Sequence, residues 1–74
     1  MMAYNSAMTN IVLNGKPASM PTGINVLGLL ERMQLTGKRI AVEVNGEIVP
    51  RSLHGARTLD SGDRVEIVQA IGGG

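Results

Sequence analysis

Few residues of this chain carry side chains that enzymes use for covalent or acid–base catalysis. The sequence has no cysteine and a single histidine, His54, which excludes thiol catalysis, iron–sulfur sites and zinc fingers. His54 lies in a predicted loop without an acidic neighbour in sequence, and we interpret it as an ordinary surface histidine. Asp60 and Asp63 flank Gly62, a spacing that indicates a turn before it indicates acid–base chemistry. We therefore expect no active site, metal site or bound cofactor in this chain.

The last three residues, Gly72-Gly73-Gly74, have two interpretations. Glycine tracts are flexible, so they form either a frayed terminus or a linker, and the tripeptide alone favours this interpretation. In the other, the α-carboxylate of Gly74 reacts, because residues without Cβ can pass through a narrow channel in a partner enzyme. Residues 70–74 reach at most about 17 Å when extended. A terminal carboxylate is ionised at neutral pH and is a poor electrophile, so another protein must activate it, for example as an ATP-derived acyl phosphate.

Composition and charge exclude several classes of binding protein. The chain is 43% hydrophobic and 18% charged with a net charge of +1, and its seven basic residues are scattered. A nucleic-acid-binding protein of this size typically has a basic stripe with interleaved aromatic residues, whereas Tyr4 is the only aromatic residue. The longest apolar run, Val26–Leu30, is interrupted by Gly28 and is too short to span a membrane. With no secretory signal recognisable, we expect a cytoplasmic protein with neither nucleic-acid nor membrane partners.

Alternation of apolar and polar residues predicts five short strands. Asn14-Gly15 and Asn45-Gly46 each join two of them, because an Asn-Gly pair suits the positive φ angles of a type I′ hairpin turn. Pro17 cannot donate a backbone hydrogen bond, so we expect its strand at an edge of the sheet. The predicted strands are 9–14, 16–20, 39–45, 47–49 and 64–69, and residues 51–58 are predicted to form a loop or one helical turn.

One amphipathic helix is predicted between the second and third strands. Its apolar residues follow the spacing i, i+3, i+4, i+7 of a single buried face: Val26, Leu29, Leu30 and Met33. Asn25 is the predicted N-cap and Gly37 the predicted glycine after the helix C-terminus. Gly28 is unfavourable inside a helix, and a close approach of helix and sheet would explain it. Because one helix covers only one face of a sheet, we predict a two-layer α+β fold.

Six short motifs follow one another in an order, spacing and total length that together are specific, although none is specific alone. They are Ile11–Gly15, Gly23-x-x-Val26 with Leu29-Leu30, Ala41-x-x-x-Asn45-Gly46, Val49-Pro50-Arg51, Leu59-x-x-Gly62-Asp63-x-Val65-x-Ile67 and the Gly-Gly terminus. With them, residues 8–74 resemble the ubiquitin-like β-grasp sulfur carriers, most closely the ThiS type of thiamine biosynthesis. The resemblance implies a mixed sheet packed on one main helix.

The predicted organisation has three parts. Residues 1–7 carry no charge and no periodicity, and we expect a disordered N-terminal extension there. Residues 8–70 form the β-grasp domain, and residues 71–74 form a flexible, reactive C-terminal tail. Relative to the resembled family, the extension and the third glycine are additional, and Asn25 stands where many members have threonine at the helix cap.

The resemblance also implies a mechanism in which this chain is a protein cosubstrate and not an enzyme. A ubiquitin-activating-like adenylyltransferase, using ATP and magnesium, adenylates Gly74. Sulfur from a desulfurase or sulfurtransferase then displaces AMP and leaves a terminal thiocarboxylate. Thiazole synthase takes this sulfur to build the thiamine thiazole.

The partner-binding tail is predicted to comprise Ala70, Ile71, Gly72 and Gly73. Val68, Ala70 and Ile71 are apolar residues at or beyond the end of the final strand, and we predict that they face the partner enzymes. For Val68, ordinary packing at the strand end is the alternative.

Three other functions stay open at this point. The small subunit of molybdopterin synthase has the same fold and terminus, although a proline-containing segment usually precedes its Gly-Gly, where this chain has Val68–Ile71. A ubiquitin-like modifier would join Gly74 to lysine side chains through an amide bond. A β-grasp interaction domain with an inert tail would use neither reaction.

Overall fold

The computed structural model describes residues 8–70, so the predicted extension 1–7 and tail 71–74 lie outside the described residues. The elements are β1 (Met8–Leu13), β2 (Lys16–Pro21), α1 (Val26–Arg32), β3 (Ile40–Val44), β4 (Glu47–Ile48), a 3₁₀ helix (Arg51–Leu53) and β5 (Arg64–Gln69). The strands form one sheet in the order β2-β1-β5-β3-β4, in which β5 runs parallel to β1 and antiparallel to β3. The predicted element order is confirmed, and Pro17 lies on an edge strand as expected.

Both hairpin turns adopt the predicted backbone conformation and also hold the central strand. Asn14 and Asn45 have φ angles of 50° and 54°, and the glycines that follow them have 83° and 85°. The Asn14 side-chain oxygen accepts a hydrogen bond from the N–H of Ile67 at 2.8 Å. The Asn45 side-chain oxygen accepts one from the N–H of Arg64 at 2.9 Å. Each turn therefore supplies a side-chain hydrogen-bond acceptor to the backbone of β5.

The start of α1 explains the glycine inside it. The Asn25 side-chain oxygen accepts a hydrogen bond from the N–H of Gly28 at 2.7 Å, which confirms the predicted N-cap. A Cβ atom at Gly28 would lie 3.0 Å from Ile24 Cγ1 and 3.3 Å from the Asn25 oxygen, and no sheet atom is among its nearest neighbours. The expectation of a close approach to the sheet is therefore wrong, because the cap and Ile24 occupy the space.

The helix ends earlier than predicted. It stops at Arg32, and the N–H groups of Gln34 and Leu35 bond the carbonyls of Glu31 (3.1 Å) and Leu30 (2.8 Å). These two hydrogen bonds form a Schellman motif, in which the first residue after the helix C-cap adopts a left-handed backbone conformation. Gln34 takes that conformation at φ 61°, so the prediction of Gly37 as the terminating glycine is wrong. The motif turns Leu35 back against the core. The spacing of apolar residues in the helix did not predict this contact.

The core lies between α1 and the sheet face that it covers. The predicted helix face is confirmed, with Met33 packed partly buried against the core. The buried apolar residues are Ile11, Val26, Leu29, Leu30, Val42, Val44, Val49, Leu59 and Val65. The sheet's other face, which we call the outer face, is covered by no element of residues 8–70. The described residues thus form the predicted two layers.

The Asn25 cap makes a testable contribution to stability. Asn25→Ala removes the acceptor for the Gly28 N–H and also the donor to the Gly55 carbonyl, 3.0 Å away. We expect the free energy of unfolding to fall by about 1 kcal/mol, which lowers Tm by roughly 4–8 °C in a domain of this size. Asn25→Ser is the matched control, because its hydroxyl can keep the cap bond. Thermal melts that coincide for Asn25→Ala and the wild type would contradict this role.

Candidate functional site

The central strand β5 leads directly into the residues with predicted chemistry. Hydrogen bonding to the β3 side continues one residue beyond the strand, where the N–H of Ala70 donates to the Arg39 carbonyl at 2.8 Å. Pairing with β1 ends much earlier, at Val65. Ala70 is exposed, and four more residues complete the sequence. Extended, these four residues carry the chain at most about 14 Å beyond Ala70. Ile71, Gly72, Gly73 and Gly74 themselves lie outside the described residues.

Val68 and Ala70, two of the three apolar residues predicted to face partners, are not part of the core. Val68 is 64% exposed and lies on the outer face, where it pairs with the exposed Ala41 of β3. The alternative of ordinary packing for Val68 is therefore wrong. The docking role of Val68 stays a prediction.

His54 is buried, with 7% of its surface exposed, so the surface interpretation is wrong. Its Nε2 lies 3.1 Å from the carbonyl oxygen of Val49, to which it donates, because a carbonyl can only accept. Its own backbone carbonyl accepts the N–H of Leu27 in the first turn of α1 at 2.9 Å. The residue thus ties the 3₁₀ segment to both a strand end and the helix. Residues 51–58 show no apolar periodicity, so no pattern in the sequence indicated that His54 is buried.

The acidic residues behave as turn residues. Asp63 accepts hydrogen bonds from the Asp60 N–H at 2.8 Å and from the Asn45 side chain at 3.0 Å. The Arg57 guanidinium lies 3.9 Å from Asp63 Oδ2, the oxygen that accepts the Asp60 N–H. The turn prediction is confirmed, and Asp63 hydrogen-bonds the same Asn45 that holds β5.

Within residues 8–70, no three histidine or acidic side chains come together as a metal site, and no helix there has the length and apolarity to cross a membrane.

Comparison with protein families matches residues 4–74 to the ThiS family. The chain belongs to the ThiS family. The predicted resemblance to ThiS-type sulfur carriers is thereby confirmed, and the match extends through the three terminal glycines. It begins at Tyr4, within the segment that we predicted as an extension.

A solved structure supports the same assignment. The crystal structure of the thiamine biosynthesis protein ThiS from Geobacter metallireducens superposes with a TM-score of 0.77 at 35% sequence identity, covering 89% of this chain and all of that one. The mixed five-stranded sheet with one helix is therefore the β-grasp fold, as predicted.

Two curated relatives are much longer proteins. The chain is 38% identical over 64 residues to thiazole synthase from Paramagnetospirillum magneticum and 39% identical over 64 residues to thiazole synthase from Magnetococcus marinus. The match covers 86% of this chain but only 20% of the length of either relative. A ThiS-like segment is thus one fifth of each of those chains.

The structural role of His54 is testable. His54→Ala leaves the Val49 carbonyl without its donor and opens a cavity, so we expect a loss of about 1–3 kcal/mol in the free energy of unfolding. His54→Gln, which keeps an N–H donor, should lose less. Chemical denaturation of the three proteins measures this order. A His54→Ala variant as stable as the wild type would restore the surface interpretation.

Proposed function

We propose that this chain carries sulfur as a thiocarboxylate on Gly74 and delivers it for synthesis of the thiamine thiazole. The observation that carries the proposal is the ThiS family match through residue 74, on a chain whose central strand leads straight to the glycines. The globule holds the base of the tail through the Ala70 hydrogen bond, while the glycines have the conformational range needed to enter a narrow active site.

Activation has to overcome the low reactivity of a carboxylate. A ubiquitin-activating-like adenylyltransferase binds ATP with magnesium, and an oxygen of the Gly74 carboxylate attacks the α-phosphorus. Pyrophosphate leaves and the acyl adenylate forms. A thiol reduces the outer sulfur of a persulfide on a desulfurase or sulfurtransferase to sulfide and itself becomes a disulfide; this sulfide then attacks the carbonyl carbon. The C–S bond forms, the C–O bond to AMP breaks, and Gly74 ends as a thiocarboxylate.

The proposed recipient of the sulfur is thiazole synthase. Its support is the presence of a ThiS-like segment within the two longer chains named thiazole synthase, because joining in one chain keeps two interacting parts at high effective concentration. ATP and magnesium belong to the activating enzyme in this proposal, and this chain holds no cofactor of its own. We propose a cytoplasmic location, where ATP is available.

The test is to co-express the chain with the activating enzyme and sulfur donor of its own organism, and then to alkylate with a thiol reagent. The chain has no cysteine, so we expect a single label on Gly74. Exchange of oxygen for sulfur has nominally the mass change of methionine oxidation. Cleavage after Arg64 removes this ambiguity, because residues 65–74 contain no methionine.

Deleting Gly73-Gly74 is the control, since it withdraws the terminal carboxylate by about 7 Å. We expect no label on this variant. If wild-type chain stays unlabelled beside an activating enzyme of proven activity, the proposal is wrong. Conjugates on lysine side chains would instead indicate a modifier, and a pathway reconstituted equally well without the two glycines would indicate an inert tail. Sulfur transfer to molybdopterin but not to thiazole would assign the molybdopterin pathway.

The proposal includes docking through Val68 beside the tail. Val68→Lys should lower the kcat/KM of adenylation about tenfold, because apolar anchors carry much of the binding energy of an interface. Stability should change by less than about 1 kcal/mol, since Val68 is exposed. Leu53→Lys is the matched control, because Leu53 is 50% exposed on the 3₁₀ helix. Equal adenylation of both variants and wild type would remove Val68 from the interface, and a large loss of stability would return it to the core.

A further inference from the structure

Two glutamates face each other across the centre of the outer face. Glu43 of β3 and Glu66 of β5 are directly opposite in the ladder, and both are exposed while their strand neighbours Val42 and Val65 are buried. Directly opposite side chains have Cβ atoms about 4.5–5.5 Å apart, and like charges in that position destabilise a sheet. The pair therefore costs the isolated protein stability.

Neither carboxylate forms an ion pair within 4.0 Å with a basic side chain of residues 8–70. The one ion pair within 4.0 Å in this part of the chain joins Arg57 to Asp63. Arg64 is on the same face as Glu66, but it forms no ion pair with either glutamate at that distance. Together with Asn45, these three side chains line a shallow depression open to solvent. With two carboxylates and one guanidinium, the depression carries a net charge of −1.

Exposed apolar side chains border the acidic pair on two sides. Ile48, which is 68% exposed, pairs with Glu43. Val68, which is 64% exposed, follows Glu66 on the same face of β5. A lysine or arginine packs its aliphatic stem on apolar surface while its charged head reaches a carboxylate. A guanidinium fits this arrangement best, because its fork of donors can bond two acceptors at once.

The tail restricts what can cover this surface. The four residues after Ala70 span at most about 14 Å, so an enzyme that encloses Gly74 must approach the domain closely around the end of β5. Glu66 lies four residues before Ala70, about 13 Å along the extended chain. The acidic pair is therefore within the footprint of an enzyme that acts on the tail.

We propose that the activating adenylyltransferase inserts an arginine or lysine side chain between Glu43 and Glu66, with its stem against Val68 and Ile48. This inference rests on the proposed function. The positive charge of the partner's side chain relieves the repulsion between the two carboxylates. This repulsion therefore favours a cationic partner. The pair acts in recognition and touches neither ATP nor the reacting carboxylate.

The test compares the full-length Glu43→Gln/Glu66→Gln variant with wild type for binding to the intact activating enzyme. We expect the Kd to rise at least about tenfold. Between about 0.01 M and about 1 M ionic strength, where the Debye length falls from about 30 Å to about 3 Å, wild-type binding should weaken much more than variant binding. The thermal midpoint of the variant should equal or exceed that of wild type, because the substitution removes the repulsion.

The matched control is Glu31→Gln/Asp60→Asn, which removes the same charge from exposed sites on α1 and in the turn before β5. A Kd of the Glu43/Glu66 variant equal to that of this control would overturn the inference. So would Glu66→Lys binding as well as Glu66→Gln, because a partner cation must repel lysine. Weakened binding to thiazole synthase alone would also overturn it, since the surface would then belong to the sulfur acceptor.

Pyrophosphate exchange separates the two levels of the proposal. A wild-type chain that supports no ATP–pyrophosphate exchange with an active enzyme contradicts the proposed function. Normal wild-type exchange together with unchanged exchange in the Glu43→Gln/Glu66→Gln variant, at a chain concentration below the wild-type Kd, contradicts the acidic recognition alone.

Discussion

Strand β5 is held in the middle of the sheet by two asparagine side chains, and the arrangement of the other parts depends on this strand. Asn14 and Asn45 adopt left-handed backbone conformations that reverse the chain, and the same residues accept hydrogen bonds from β5 N–H groups on its two sides. Asparagine serves both purposes because its short side chain tolerates positive φ and carries an acceptor. With β5 fixed, Val65 lies in the core and Ala70, one residue beyond the strand, bonds the Arg39 carbonyl.

The helix depends on the loop that follows the second hairpin. At seven residues α1 is too short to be stable alone, and the N–H groups of its first turn need partners. Carbonyls of Arg57 and His54 accept the N–H groups of Val26 and Leu27, at 2.9 Å each, and the Asn25 side chain accepts the N–H of Gly28 in the same turn. The buried His54 ring closes the loop onto Val49. The sole histidine of the chain therefore has a structural role.

A carrier of this kind separates positioning from reaction. In the proposed function, residues 8–70 supply the strand that precedes the tail and an exposed sheet face beside that strand, and other proteins supply activation and sulfur. Exposed apolar side chains next to a pair of like-charged carboxylates are unfavourable for an isolated protein, and Ile48 and Val68 border such a pair on the outer face. The occurrence of a ThiS-like segment as one fifth of two thiazole synthase chains fits a unit that works against a larger partner.

Short-range rules determined much of this protein from the sequence alone. The Asn-Gly pairs fixed both hairpins through their φ requirements, the spacing from Val26 to Met33 fixed the buried helix face, and the absence of cysteine confined covalent chemistry to other groups. Only the tertiary structure decided that His54 is buried, that Gln34 and not Gly37 ends the helix, and that Glu43 faces Glu66. These features depend on which strands become neighbours and which loops cover the core. Packing between residues that are distant in sequence decides which strands are neighbours and which loops cover the core. Neither apolar periodicity nor local backbone preference indicates these contacts.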